Sequence, residues 1–196
     1  MASTRRIGAE DSKSRAALLD ATEQIMLDEG YAAVSSRRIA ERADLKPQLV
    51  HYYFRTMDDL FLAAFRRRAE IGFEHLSKVL SSGQPLRALW AFGDDPASTA
   101  LNMEFVALAN HRKSIRSEIA RYAEQFRTKQ TEVLAAVMAE RGIDTDLFPP
   151  VAVMTVMTSI SQILVLEEAL GITTGHAETR ALVASLLDDF GRDGMP

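Results

Sequence analysis

Apolar positions along this chain recur at three- and four-residue steps, and no stretch alternates as a strand would. From Ser14 to Glu29 the inward set is Leu18, Ala21, Thr22, Ile25 and Met26, the stripe of an amphipathic helix. Gly30 follows and can take the left-handed conformation that ends a helix. Ser35 can cap a second helix over residues 36–43, with Ile39, Ala40 and Ala43 facing inward. Asp44-Leu45 is a break, since Asp tolerates the left-handed region better than most residues. Lys46-Pro47 opens a short third helix, Pro being favoured at the first helical position. Its inward residues are Val50 and Tyr53, with Leu49 able to join them, while Gln48, His51 and Tyr52 point outward. Thr56 caps a long fourth helix that carries Asp58 and Asp59 in its first turn, where negative charge suits the helix dipole.

The fourth helix runs through Leu60, Phe61, Ala64 and Phe65 to about Leu80, and Ser81-Ser82-Gly83 breaks it. The pattern then predicts helices over 85–92, 98–110, 113–141, 149–170 and 176–190. The turn at 93–96, Gly142, the loop at 144–148 and the break at 171–175 separate them. The fold class is therefore all-α with about nine helices. An arm over residues 1–13 precedes a three-helix unit at 14–60, and a helical region fills 61–196, with the fourth helix as connector. The most apolar run, Val151 to Leu166, is interrupted by Thr155, Thr158, Ser159, Ser161 and Gln162. A bilayer span needs roughly 20 predominantly apolar residues, so this segment reads as a buried helix of a soluble, cytoplasmic protein.

Composition changes this picture little. Hydrophobic residues make up 47% and charged residues 26%, as in an ordinary globular chain. The absence of cysteine removes disulfides, thiol nucleophiles and thiolate metal sites. Charge matters more. The net of −4 speaks against nucleic acid, but residues 1–70 hold 12 Lys/Arg against 11 Asp/Glu, and residues 71–196 hold 11 against 16. The early cations cluster as Arg5, Arg6, Lys13 and Arg15, and again as Arg37, Arg38, Arg42, Lys46 and Arg55. Such clustering on one face governs phosphate attraction more than the total does; the plain alternative is a solvated surface.

Two short helices joined by a tight turn form a corner that can present the second helix to a major groove. Polar side chains on its outer face would read base edges, and nearby cations would hold phosphates. Gln48 could read adenine, Lys46 could meet a phosphate or a guanine, and His51 and Tyr52 can reach either phosphates or bases. The start of the second helix offers Ser36 and Arg37 to a phosphate. A bare corner of this kind is common in all-α proteins. This one, however, extends from LLDATEQIMLDEGY through IAERADL and VHYYF to RTMDDLF with its spacing intact. Residues 14–60 resemble the DNA-binding domain of the tetracycline-repressor (TetR) family of bacterial transcription regulators. The sequence departs from the family pattern at Asp44, Lys46, Leu49 and His51.

The resemblance implies a homodimer whose short third helices enter successive major grooves of a pseudo-palindromic double-stranded DNA operator. A small molecule bound by the C-terminal region releases the DNA, so the chain would be a ligand-responsive regulator acting as a repressor. The DNA-binding set is then Ser36, Arg37, Lys46, Pro47, Gln48, Leu49, His51, Tyr52 and Arg55. Candidate effector-lining residues are Leu86, Leu89, Trp90, Met103, Phe105 and Val106, together with Tyr122, Phe126, Met154, Met157 and Ile160. Their apolar and Met-rich character fits an apolar effector, with plain core packing as the alternative for each. The helix at 149–170 is apolar nearly all round. With Leu182, Leu186 and neighbours on the last helix it is the expected dimer surface. No catalytic constellation is present: no Gly-rich phosphate loop, no G-x-S-x-G elbow, and no His three residues from a Glu. No enzyme activity, cofactor or metal is expected. The competing reading is a helical small-molecule-binding protein or enzyme whose corner is purely structural.

Overall fold

The computed structural model describes residues 12–80, 84–93 and 95–189, and among these it holds nine α-helices and no strand. They are α1 Lys13–Glu29, α2 Ser36–Arg42, α3 Pro47–Tyr53, α4 Met57–Leu80, α5 Pro85–Gly93, α6 Pro96–His111, α7 Lys113–Glu140, α8 Pro150–Ala169 and α9 His176–Asp189. A 3-10 turn, Tyr31–Ala33, links α1 to α2. The all-α expectation holds, and the helix ends fall close to those read from the pattern. Ser81-Ser82-Gly83, Phe190 and the arm as far as residue 11 lie outside the described residues. Ser12, placed in that arm, instead caps α1, its hydroxyl accepting the Arg15 N–H at 3.1 Å.

The helix ends show which local rules decided the fold. After α2, Leu45 N–H bonds to Ala40 C=O at 2.8 Å and Asp44 N–H bonds to Glu41 C=O at 3.2 Å. This is the paired-bond Schellman ending, with Asp44 at φ +51° in the position that glycine usually fills. The same pair of bonds closes α7 at Gly142 and α8 at Gly171. Gly30 differs from expectation. Its φ of +83° and ψ of 161° lie outside the left-handed helical region, in territory open essentially to glycine alone. Ser35 accepts the Arg38 N–H at 3.4 Å. Thr56 and Asp59 form a reciprocal box, each side chain accepting the other's backbone N–H at 3.1 Å. Such caps contribute about 1 kcal/mol each.

Two compact units are present. The first comprises Met1–Glu70 with Ala100–Ala120, and the second Ile71–Thr99 with Arg121–Pro196. In the first, Leu18, Leu19, Ile25 and Met26 of α1 are buried, as are Ile39 of α2, Val50 of α3, Leu60 and Phe61 of α4, and Phe105 and Leu108 of α6. Thr22, counted among the inward positions, is fully buried because its hydroxyl donates to Leu18 C=O at 2.8 Å. Arg67 of α4 reaches back to α1, pairing with Asp20 and Glu23 at 2.7 Å each. These buried apolar side chains, at roughly 1.5–3 kcal/mol apiece, outweigh this partly exposed charge cluster in stability. The ion pairs contribute direction, fixing α1 against α4.

In the second unit the core is Leu76, Leu86, Leu89, Leu134, Val137, Met138, Met154, Val183 and Leu187. Gly93 is the last residue of α5, not part of a turn. A Cβ there would lie 2.6 Å from the Ser161 hydroxyl oxygen, so α5 meets α8 only through a bare backbone. The expectation that α8 is a buried helix needs correction. It is the one described helix long and apolar enough to cross a membrane, yet only 22% of its apolar window is buried. Met154, Ser161, Leu164 and Val165 face the core, while Val151, Val156 and Ile163 are exposed. Its hydroxyls are satisfied within the helix: Thr155, Thr158 and Ser159 donate to carbonyls four residues back and Ser161 to one three back.

The α8–α9 junction is held by His176. Its Nε2 lies 2.9 Å from a Glu167 oxygen and its Nδ1 3.4 Å from a Glu168 oxygen, to which Arg180 also donates at 2.7 Å. A neutral imidazole has one N–H, so both contacts are hydrogen bonds only in the imidazolium form. The Glu167 hydrogen bond raises the His176 pKa above its ordinary 6.5; burial opposes it and Glu168 adds to the rise. The Arg180 hydrogen bond, followed by that of His176, lowers the Glu168 pKa. A raised histidine pKa contributes stability that is fully present below about pH 6.5 and is lost as pH rises through the folded-state value. The difference in Tm between the native chain and His176→Gln should therefore be largest in mildly acidic buffer and should close at alkaline pH. Thermal melts of both proteins across that range check this, and a gap independent of pH would exclude the clasp.

Candidate nucleic-acid interface

The Asp44 turn sets α3 across α2, and Val50, 1% exposed, is the residue that pins it from below. With Val50 inward, the 3.6-residue period turns the rest of α3 outward. Lys46, Pro47, Gln48, His51 and Tyr52 are all exposed, and Arg37 and Arg55 are exposed beside them. Ser36 and Leu49 are half-buried. Tyr53 is half-buried too, and its ring meets Tyr52 edge-on at 5.0 Å, which stiffens the outward tyrosine. Lys46 is the N-cap of α3 and makes no side-chain cap hydrogen bond, since an ammonium has no acceptor for the helix N–H groups. Of the nine residues assigned from the sequence to a reading face, seven are exposed, and Ser36 and Leu49 are half-buried.

The cations beside that face divide into two groups. Arg38 pairs with Glu29, and Arg42 pairs with Asp28 at 2.8 Å, tying α2 to the end of α1. The Arg38 hydrogen bond holds the Glu29 carboxyl below its ordinary range. Arg15 lies 5.4 Å from the Phe54 ring centroid. Arg37, Lys46 and Arg55, by contrast, make no ion pair among the described residues. Charge clustering in the sequence did not separate these groups, because the partners Asp28 and Glu29 lie on another helix.

The residues named for the effector do not all fall in one place. Leu86, Leu89 and Met154 belong to the core of the second unit, with Trp90, Phe126, Met157 and Ile160 packed against it. Tyr122 is half-buried near the same group, its ring 6.1 Å from Phe73, which lies 4.2 Å from Phe126. Phe126 sits so close over Gly72 that a Cβ there would come within 2.9 Å of it. Met103, Phe105 and Val106 belong to the first unit. Phe105 is buried there against Phe65 at 5.3 Å, and Met103 and Val106 are exposed. No cluster of three or more metal-ligating side chains occurs among the described residues.

Comparison with known proteins bears on this geometry. A family model described as bacterial regulatory proteins, tetR family, matches residues 18–64, which takes in α1 from Leu18, α2, α3 and the start of α4. The HTH-type transcriptional regulator BetI of Rhizobium meliloti (strain 1021) is 26% identical over 136 residues, covering 69% of this chain and 63% of that protein. The match therefore spans less than two thirds of that relative's length. The multidrug binding protein EbrR, solved complexed with imidazole, has a TM-score of 0.61 at 25% identity, over 95% of this chain and 98% of its own. A protein of Saccharomonospora viridis solved in complex with choline has a TM-score of 0.72 at 18% identity, over 92% and 96%; at that identity the likeness concerns the fold.

The division of cations gives a measurable expectation on random-sequence duplex DNA, where binding is electrostatic. Replacing Arg37, Lys46 or Arg55 with Gln should each lower the slope of log affinity against log salt by about 0.9. Arg38→Gln should leave the slope unchanged and lower Tm. Equal slope changes for the two groups would contradict the division.

Proposed function

We propose that the chain, whose residues 18–64 match the model of the tetR family of bacterial regulatory proteins, is a ligand-responsive repressor of transcription of that family. In this reading it binds a pseudo-palindromic operator as a homodimer in the bacterial cytoplasm and releases it when a small, largely apolar effector binds. The observation that carries the reading is the α3 surface. A seven-residue helix anchored by Val50, with Lys46 as its N-cap, leaves Lys46, Gln48, His51 and Tyr52 exposed, and Arg37, Lys46 and Arg55 make no ion pair among the described residues. Hydrogen-bonding groups on a short exposed helix add nothing to folding. They suit base edges in a major groove, with Arg37, Lys46 and Arg55 set for phosphates. The competing structural corner would have no need of this concentration of exposed polar and aromatic groups.

Two such helices read one operator only if they lie about 34–36 Å apart. The proposed seam for such a dimer is α8 and α9. Val151, Val156 and Ile163 of α8 and Leu182 and Leu186 of α9 are exposed in the single chain, and Leu182 is 61% exposed. The effector reading rests on Trp90, Tyr122, Phe126, Met154, Met157 and Ile160, an aromatic and Met-rich lining that can repack around apolar ligands. Choline and imidazole, bound by two proteins of similar fold, are both small enough for such a site. A ligand that prefers the non-binding arrangement shifts the population away from the operator-bound form.

Selection of bound fragments from genomic DNA should return a pseudo-palindromic consensus. The triple variant Lys46→Ala, Gln48→Ala, Tyr52→Ala should lose binding to that consensus while keeping its dimer mass; operator-specific binding by it would sink the assignment. In a separate experiment, Leu182→Glu with Leu186→Glu should give a monomer by analytical ultracentrifugation with its helix content retained. An unchanged dimer would move the interface elsewhere.

A further inference from the structure

We infer that Glu104 of α6 is a positioning residue for DNA reading: it holds the junction between α1 and α2 and so fixes how α3 is presented. The inference rests on the proposed DNA-reading role of α3. The Tyr31 backbone N–H, at the start of the turn between α1 and α2, donates to Glu104 Oε2 at 2.6 Å. Glu104 is 73 residues away in sequence and half-buried. Its carboxylate lies over Gly30, where even a Cβ would stand 3.4 Å from Oε2, in a backbone conformation at φ +83° that a side chain would strain. A glycine is thus required at this point for its backbone shape.

The same face of α6 touches Tyr31 again. His111, seven residues and two turns beyond Glu104, places its ring 6.3 Å from the Tyr31 ring. Directly after α6, Arg112 pairs with Asp58 in the first turn of α4, and its guanidinium lies 5.6 Å from the Phe61 ring centroid. Ser114 donates to the same aspartate at 3.2 Å. The three-helix head is therefore gripped at two points, the α1–α2 junction and the start of α4. Glu104 makes the contact that no apolar packing duplicates. A charge-assisted bond to a backbone N–H is the stronger kind, and losing it leaves a donor unpaired.

The turn from Tyr31 leads through Ser35 into α2, which carries α3 by the Asp44 turn. Loosening Tyr31 therefore tilts the reading helix without touching any of its own contacts. The experiment compares Glu104→Ala and Glu104→Gln with the native full-length chain. Hydrogen–deuterium exchange of peptides covering residues 29–35 is measured without DNA, and affinity for the consensus duplex selected by the native protein is measured separately. We expect faster exchange at 29–35 and about tenfold weaker duplex binding for the alanine variant. Dimer mass and α3 exchange should be unchanged, and the glutamine variant, which keeps a carbonyl acceptor, should recover most of the affinity. Unchanged exchange in Glu104→Ala overturns the contact itself. Faster exchange with unchanged duplex affinity overturns the positioning role. A native protein that selects no duplex overturns the DNA-reading premise instead, and the exchange result identifies which of the two has failed.

Discussion

The reading head depends on one turn, and that turn depends on Asp44 standing at φ +51°. Four residues from Ala43 to Lys46 must reverse the chain so that α3 crosses α2. The two Schellman bonds to Ala40 and Glu41 make the reversal stiff. A non-glycine residue in the left-handed region costs on the order of 1 kcal/mol, less for Asp than for most. Burial of Ile39, Ala40 and Val50 beneath the corner more than offsets it. With the angle fixed, the exposure of Gln48, His51 and Tyr52 follows from helical period alone. Moving Val50 by one position would rotate the anchored face by about 100° and draw part of the set inward. Reading chemistry here is a consequence of packing geometry.

Much of this was legible in the sequence because it is local. Caps at Ser35 and Thr56, Pro47 at the first position of α3, and the stripe through Leu18, Ile25 and Met26 each operate within one or two turns of chain. Contacts between distant segments were not legible. Nothing around Glu104 signals that its carboxylate meets Tyr31, and nothing around Arg67 signals Asp20 and Glu23. The pairing of Arg38 and Arg42 was equally hidden, so one apparent cluster of cations held two populations. Gly93 misled in a different way. Glycine before Asp-Asp-Pro reads as a turn, but its role is to let α5 approach Ser161.

The effector region was the least legible because its signal is generic. Met, Leu and aromatic side chains at helical spacing describe both a core and a lining. What separates them is which element faces which, a tertiary fact. Met103, Phe105 and Val106 share the composition of the others and lie in the other unit. Among the remainder, the contact of Phe73 with Phe126 and the bare backbone of Gly72 are the features that shape the aromatic end. Periodicity does not register a missing Cβ.

The apolar surface left on α8 and α9 belongs to the same argument as the small size of α3. A single seven-residue helix offers a few base contacts, each worth about 1–3 kcal/mol of discrimination. Linking two of them makes the second binding event intramolecular, so that affinities multiply only while the geometry allows both to engage. In the proposed dimer, hydrophobic free energy would lie where the copies meet, with little at the DNA. An effector then need not oppose any DNA contact directly. In the proposed dimer it would have only to change the separation or tilt of two heads that are individually weak. Stiffness within the corner preserves what is read, and in the proposed dimer the distance between the two corners would decide when it can be read.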